Sequence, residues 1–449
     1  MMKVAYTCIF VLFLGSCFLF GPDTGDIAVT LSADILEASY NQPVIISAEI
    51  TGTDLEPELS WYLDDVLQTE STATYEFRQR PSARTDYTVK VIATVNDVDC
   101  EDALVITVTA PQISLSQFIY SGSMPIDSAT YAPLCVDDKI YIFGGSDTTS
   151  TPYVYYDTVY MCGLNNDGTF TAWENIGSFE GIRQEPAAVY HNGSVFLIGG
   201  SYVNGTNLTY DPTVYYTSIL KADVQPDGRL GPWSVAGSLD FGRRRPRAVV
   251  HNNRLYILGG ITGQGLDKGP VYSIISAEIT SDNTIAAFSQ CGTITPPRGD
   301  YGMAIVDDYL ILLGGYNSDM PSLSEQFFSD VNSVSMINTG IASWWTNSTD
   351  LPQSLLLPVC TVSDSHIFVF GGIYINNTPE WVIPQTIYRG GAVDGNVADW
   401  ELLSTTMPAN FVSFAAVRSE VRFVFFGSLR SSSDMQTTTG FAAYSTTIF

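Results

Sequence analysis

Lysine and histidine are scarce: the 449-residue chain holds five lysines and three histidines. Its 20 basic residues face 47 acidic ones, a formal charge of −27. That balance excludes binding of nucleic acid through a broad cationic footprint, because such binding needs clustered cations to displace counterions from phosphates. The acidity reads as a solvated surface that keeps the protein in solution. Cysteine pairs at metal-ligand spacing are also missing. Beyond Cys17 there remain Cys100, Cys135, Cys162, Cys291 and Cys360, an odd number with no CxxC and no Cys/His cluster. Neither a zinc site nor a disulfide framework is indicated, and these thiols read as small hydrophobes. No cofactor motif is present, so no cofactor is expected. The apolar run from Val4 to Leu14 is too short to span a bilayer comfortably.

That run follows Lys3 and ends in Leu14-Gly15-Ser16-Cys17. It looks like a secretory signal, and its end resembles the bacterial lipobox, in which cleavage before the cysteine frees that residue for acylation. The resemblance implies a signal peptide over residues 1–16, lipidation of Cys17 and a linker over 17–25. The protein would then be anchored by lipid to the membrane of a bacterial cell envelope, at the outer membrane or cell surface.

Glycine is abundant, with 37 residues, and much of it is periodic. IYIFGG ends at Gly145, VFLIGG at Gly200, LYILGG at Gly260, LILLGG at Gly315 and IFVFGG at Gly372, and a variant copy, FVFFGS, ends at Ser428. An aromatic residue stands 26 positions before the first glycine of each full motif: Phe118, Trp173, Trp233, Phe288 and Trp345. Trp400 stands 27 before Gly427, and successive aromatics lie 55, 60, 55, 57 and 55 residues apart. Such a period marks a repeat architecture. Within a unit, runs rich in β-branched and aromatic residues are bounded by Gly, Asn or Asp, as in a four-stranded meander.

The arrangement resembles the kelch repeat, a hydrophobic strand ending in Gly-Gly with an aromatic at fixed distance. The resemblance implies an all-β fold, a six-bladed kelch β-propeller over residues 111–449. The first aromatic has no strands before it and the last unit stops after its third strand, so residues 112–120 are expected to close the ring as the outer strand of the sixth blade. Ahead of the propeller, residues 26–110 carry PVIISAEI, ELSWYLDD, YTVKVIATV and ALVITVTA. These runs, with Trp61 and Tyr87, resemble a small Ig-like or PKD-like β-sandwich.

Three sets of residues are candidates for function. Arg183, Arg243 and Arg298 each lie ten residues after their aromatic, where the other units have Ser128, Leu355 and Asn410. They form a one-sided crescent suited to a carboxylate or sulfate, or they brace neighbouring loops by bonding carbonyls. Glu185 and Asp300 follow two residues later, as general acids or bases or as salt-bridge partners. The loops after Gly-Gly carry Tyr202, Tyr316, Phe327 and Trp381, either as platforms for a sugar or protein or as local packing. His191, His251 and His366 are spread over separate repeats, which argues against the copper site of the galactose-oxidase-like kelch proteins; no metal is expected. The reading is a non-catalytic binding module for a glycan or protein ligand. The alternative, by resemblance to sialic acid mutarotases of the kelch type, is a sugar-acid mutarotase using the arginines with Glu185 or Asp300.

Overall fold

The computed structural model describes residues 27–39, 43–77, 79, 85–109, 114–127, 130–147, 154–202, 214–263, 269–317, 326–337, 340–341, 344–375, 381–408, 411–430 and 438–448. The chain is all-β and divides into two compact units, Met1–Gln112 and Ile113–Phe449.

In the first unit two sheets share one core. Ala28–Ala33, Val44–Thr51 and Thr74–Phe77 form one; Glu37–Ser39, Val98–Thr109, Thr85–Val95, Glu58–Leu63 and Val66–Leu67 form the other, in that order. The run TDYTVKVIATV buries alternate residues from Val89 onward, the period-two pattern of a strand with one face inward. Trp61 is fully buried, stacks on Tyr75 at 5.5 Å and donates its indole N–H to the Thr72 carbonyl at 2.9 Å. Val44, Ile46 and Phe77 of the opposite sheet are buried in the same core. The Asp102 carboxylate accepts the Leu31 N–H at 2.8 Å and so ties the two sheets together.

Among the described residues the second unit contains six antiparallel sheets of four or five strands, each with an inner, second, third and outer strand in order, and four two-stranded ribbons. The second sheet is typical: Ala187–His191, Ser194–Ile198, Ser218–Asp223 and Ser234–Ser238. In the fourth, Gly340–Ile341 and Thr346–Asn347 share the outer position. Every residue of Ser194–Ile198 is buried, because both faces of the sheet pack against a neighbour. Six separate hydrophobic cores fill the junctions between successive sheets. One of them joins Ile140 and Ile142 of the first sheet to Val424 and Phe426 of the last, so the sheets form a closed ring, a β-propeller. Neighbouring inner strands touch around its axis at five of the six junctions, the first and last sheets among them.

The sixth sheet has Phe411–Arg418, Arg422–Arg430 and Thr438–Thr447, and its outer strand is Ile119–Ser123, from the other end of the unit. Ser445 lies opposite Ile119 and Ala442 opposite Ser123, and Leu115 bridges Ile448. Backbone pairing thus runs from Leu115 to Ser123 with an interruption at Phe118, whereas 112–120 is the range expected from sequence; 112 and 113 lie outside the described residues. The Phe118 ring enters the junction, where it meets Phe425 at 5.4 Å, and directly precedes the regular strand. Trp173, Trp233 and Phe288 likewise directly precede their outer strands.

The Gly-Gly pairs couple one sheet to the next. Gly199 and Gly200 have φ of 61° and 92°, and the other four pairs match within a few degrees to about ten, a left-handed region open chiefly to glycine. The Gly200 N–H donates to the Arg243 carbonyl of the following repeat at 2.9 Å; Gly145 and Gly315 do the same with Arg183 and Leu355. In the sixth repeat, where Ser428 replaces the second glycine, Arg422–Arg430 runs through the motif as one long strand.

Candidate functional site at the axis of the ring

The loops that lead from each outer strand into the next inner strand surround one end of the axis. Twelve positions after their aromatics stand Thr130, Glu185, Arg245, Asp300 and Leu357. The last four have φ of 55°, 51°, 51° and 53°, left-handed backbone that costs a non-glycine residue about 1–2 kcal/mol. Backbone bonds between repeats offset that cost. Glu185 N–H donates to Thr130 O at 2.5 Å, Arg245 N–H to Glu185 O at 2.9 Å, and Leu357 N–H to Asp300 O at 2.8 Å. Strained residues held by their surroundings are a mark of functional sites.

Their side chains form a charged cluster. Glu185 accepts Arg244 Nη1 at 2.8 Å and Arg245 Nε at 2.6 Å, and Arg245 Nη1 stands 3.9 Å from Asp300 Oδ1. Glu185 is 7% exposed, but Asp300 and Arg245 are 34% and 46% exposed. The buried carboxylate thus holds a half-exposed guanidinium, with a second carboxylate beside it. Such a cluster can offer donors and acceptors together to a polar ligand.

The arginines singled out by sequence lie elsewhere. Arg183, Arg243 and Arg298 are at most 1% exposed. Each sends Nη1 to the carbonyl of the first glycine of its own repeat: Gly199 at 2.8 Å, Gly259 at 3.2 Å and Gly314 at 2.9 Å. Each guanidinium also lies over a ring, of Tyr216, Phe241 and Phe328 respectively, at 4.3 to 4.5 Å. Arg298 is further paired with Asp330, and Arg243 with Asp240. Burial lowers the Arg183 pKa to about 10, against the favourable fields of Tyr216 and Glu180, and lowers that of Arg243 as well. Of the two roles expected for the crescent, its geometry is that of braces: all three guanidinia are buried and bonded to carbonyls inside their own blades. Glu185 and Asp300 serve as ion-pair partners, of Arg244 and Arg245.

The aromatic candidates are only partly brought together. Tyr202, half-buried, meets Tyr155 of the adjacent repeat edge-on at 5.5 Å. Tyr316 packs against Phe327 at 5.1 Å, and Phe327 is 8% exposed, a packing residue and not a platform. The backbone of Trp381 pairs with Ile375, but its side chain lies outside the described residues, as does Cys17. Among the histidines, His251 Nε2 bonds Asp308 at 2.7 Å and His366 is buried at the start of its strand. Sequence reasoning missed Arg244 and Arg245. The available signal was GRRRPR at 242–247, the densest cationic run in an acidic chain.

Comparison with known proteins fits this architecture. Residues 134–372 match the family model described as the KLHDC2/KLHL20/DRC7 Kelch-repeats domain. Kelch domain-containing protein 1 of Mus musculus is 25% identical over 276 residues, covering 57% of this chain and 64% of that protein. The human protein of that name is 23% identical over 279 residues, with the same coverage. The chain thus spans under two thirds of the length of these relatives. A solved structure titled "Structure of YjhT" superposes with a TM-score of 0.51 at 13% identity, over 73% of this chain and 99% of that one, a likeness of fold.

Proposed function

Because the chain belongs to the kelch-repeat family of β-propellers, we propose that it is a non-catalytic binding module whose glycan or protein ligand seats on the axial end of the ring. Rigid rings that vary their loops are binding scaffolds. The observation that carries this reading is Arg245, half-exposed yet fixed between Glu185 and Asp300. A guanidinium already oriented by carboxylates binds with little ordering cost. The ligand chemistry is polar, with acceptors for Arg245 and donors for Asp300. The first unit acts as an Ig-like spacer, and Cys17 carries the lipid that holds the protein at a bacterial envelope.

The test is a glycan array and partner capture with the intact protein and with Arg245→Ala, which removes the oriented donor and leaves the braces in place. Loss of the captured ligand with an unchanged melting temperature supports the reading. Undiminished capture of every ligand by Arg245→Ala, or acceleration of anomer equilibration of a sugar acid by the intact protein in NMR exchange, overturns it.

A further inference from the structure

The repeat aromatics reveal a second site, on the outer rim. Trp173, Trp345 and Trp400 each donate their indole N–H to a carbonyl at the end of the preceding repeat: Ser123 at 3.0 Å, Thr293 at 2.9 Å and Thr349 at 2.9 Å. The corresponding acceptor for Trp233 is the carbonyl of Ser178, five residues after Trp173 as Ser123 is after Phe118. That bond is not made. Trp233 instead sets its ring edge-on to Phe143 at 6.0 Å and Phe179 at 5.8 Å, and its N–H has no partner among the described residues.

Between donor and missing acceptor lies a groove of about 420 Å³, lined among others by Ile176, Ser178, Glu180, Leu230, Pro232 and Trp233. Gly177, also in its wall, would find nothing within 4 Å of an added Cβ. Phe179 N–H bonds Asp157 O at 3.0 Å, and the alternation of an antiparallel ladder then turns the Ser178 carbonyl to the open edge. Glu180, just beyond the end of the strand, is exposed and makes no hydrogen bond or ion pair among the described residues, whereas Glu174 at the start of the strand is held by Arg229.

We propose that this groove is a saccharide site taking one hexopyranose unit of a neutral sugar. It presents one donor, the Trp233 N–H, two acceptors, the Ser178 carbonyl and the Glu180 carboxylate, and an apolar wall of Leu230, Pro232 and Ile176. A hydroxyl accepts from the indole while donating to a carbonyl, and the C–H face of a pyranose covers the wall. An anionic ligand is disfavoured by Glu180 and by the charge of −27. A volume of this size suits a small ligand.

The experiment uses the intact protein with methyl glucoside, methyl galactoside, N-acetylglucosamine and maltose as probes. Calorimetry should detect binding of at least one of them, and the indole N–H resonance that Trp233→Phe removes should shift in the same titration. The Phe variant keeps an aromatic ring that positions 118 and 288 already accept, so folding is retained. It should bind about tenfold more weakly through the lost hydrogen bond, and Glu180→Gln should also weaken binding. Arg245→Ala should leave this binding unchanged, which separates the rim from the axial site. No binding of any probe, undiminished binding by Trp233→Phe, or a Trp233 resonance that responds to an extended peptide and to no sugar overturns the proposal.

Discussion

Four neighbouring arginines, Arg243, Arg244, Arg245 and Arg247, illustrate how one residue type takes opposite roles. Arg243 is fully buried with its head on Gly259 and Asp240, and Arg245, two residues on, is 46% exposed. Replacing Arg243 by alanine leaves a cavity and an unsatisfied carbonyl, and should lower unfolding free energy by about 2–4 kcal/mol in a denaturant titration. Arg245→Ala should change it by less than about 1 kcal/mol, as for a surface position. A second residue-scale effect concerns pH. Burial, aided by nearby Arg389 and opposed by Asp364 and Glu401, lowers the His366 pKa from 6.5 to about 4. A depressed folded pKa means that the unfolded chain binds the proton first. Stability is therefore complete above about pH 6.5 and falls as the pH drops toward 4. The difference between the intact protein and His366→Gln, followed by thermal melts across that window, should shrink as the pH falls. These roles were only half legible in the sequence. Ten-residue spacing picked out Arg183, Arg243 and Arg298, but a guanidinium turned into its own blade and one turned to solvent are written with the same letter.

At the scale of the element, the Gly-Gly turn does the coupling, and its two costs can be separated. A Cβ on Gly199 would lie 2.6 Å from the Arg243 carbonyl in addition to adopting φ of 61°. Gly193, in the Asn-Gly hairpin before the same strand, has φ of 80° but open space around it. Gly193→Ala should cost only the conformational term, about 1 kcal/mol. Gly199→Ala should cost several times more, because the next repeat must move as well. Equal losses in the two variants would refute the coupling role. This element was legible because the constraint falls on composition: few residues other than glycine fit, so the motif repeats in the letters. The outer strands were less legible. Their side chains are largely exposed, as in Glu174–Ser178 and Ser289–Thr293, so sequence carries little hydrophobic pattern there.

For the whole molecule, the ring is closed by noncovalent pairing alone. Five of the six cores join sheets that are consecutive in the chain, while the sixth joins residues near 140 to residues near 425. The Ile119–Ser123 strand is bonded beside that junction: Phe170 N–H donates to the Ser121 carbonyl at 2.8 Å, and Ser445 Oγ of the neighbouring strand donates to the Gly168 carbonyl at 3.1 Å. Deleting residues 115–123 from the full chain should leave Thr438–Thr447 with a row of unpaired backbone groups, an edge that recruits other chains. The variant should melt lower and sediment as oligomers where the intact protein is a single species. An added peptide spanning residues 114–124 can pair with that edge as the missing strand does. It should restore the melting temperature and the sedimentation of the intact chain, while a peptide with proline at the position of Tyr120 should not, because proline supplies no N–H to the ladder. A deletion variant that stays monomeric and as stable as the parent would mean that the six cores hold the ring without its clasp.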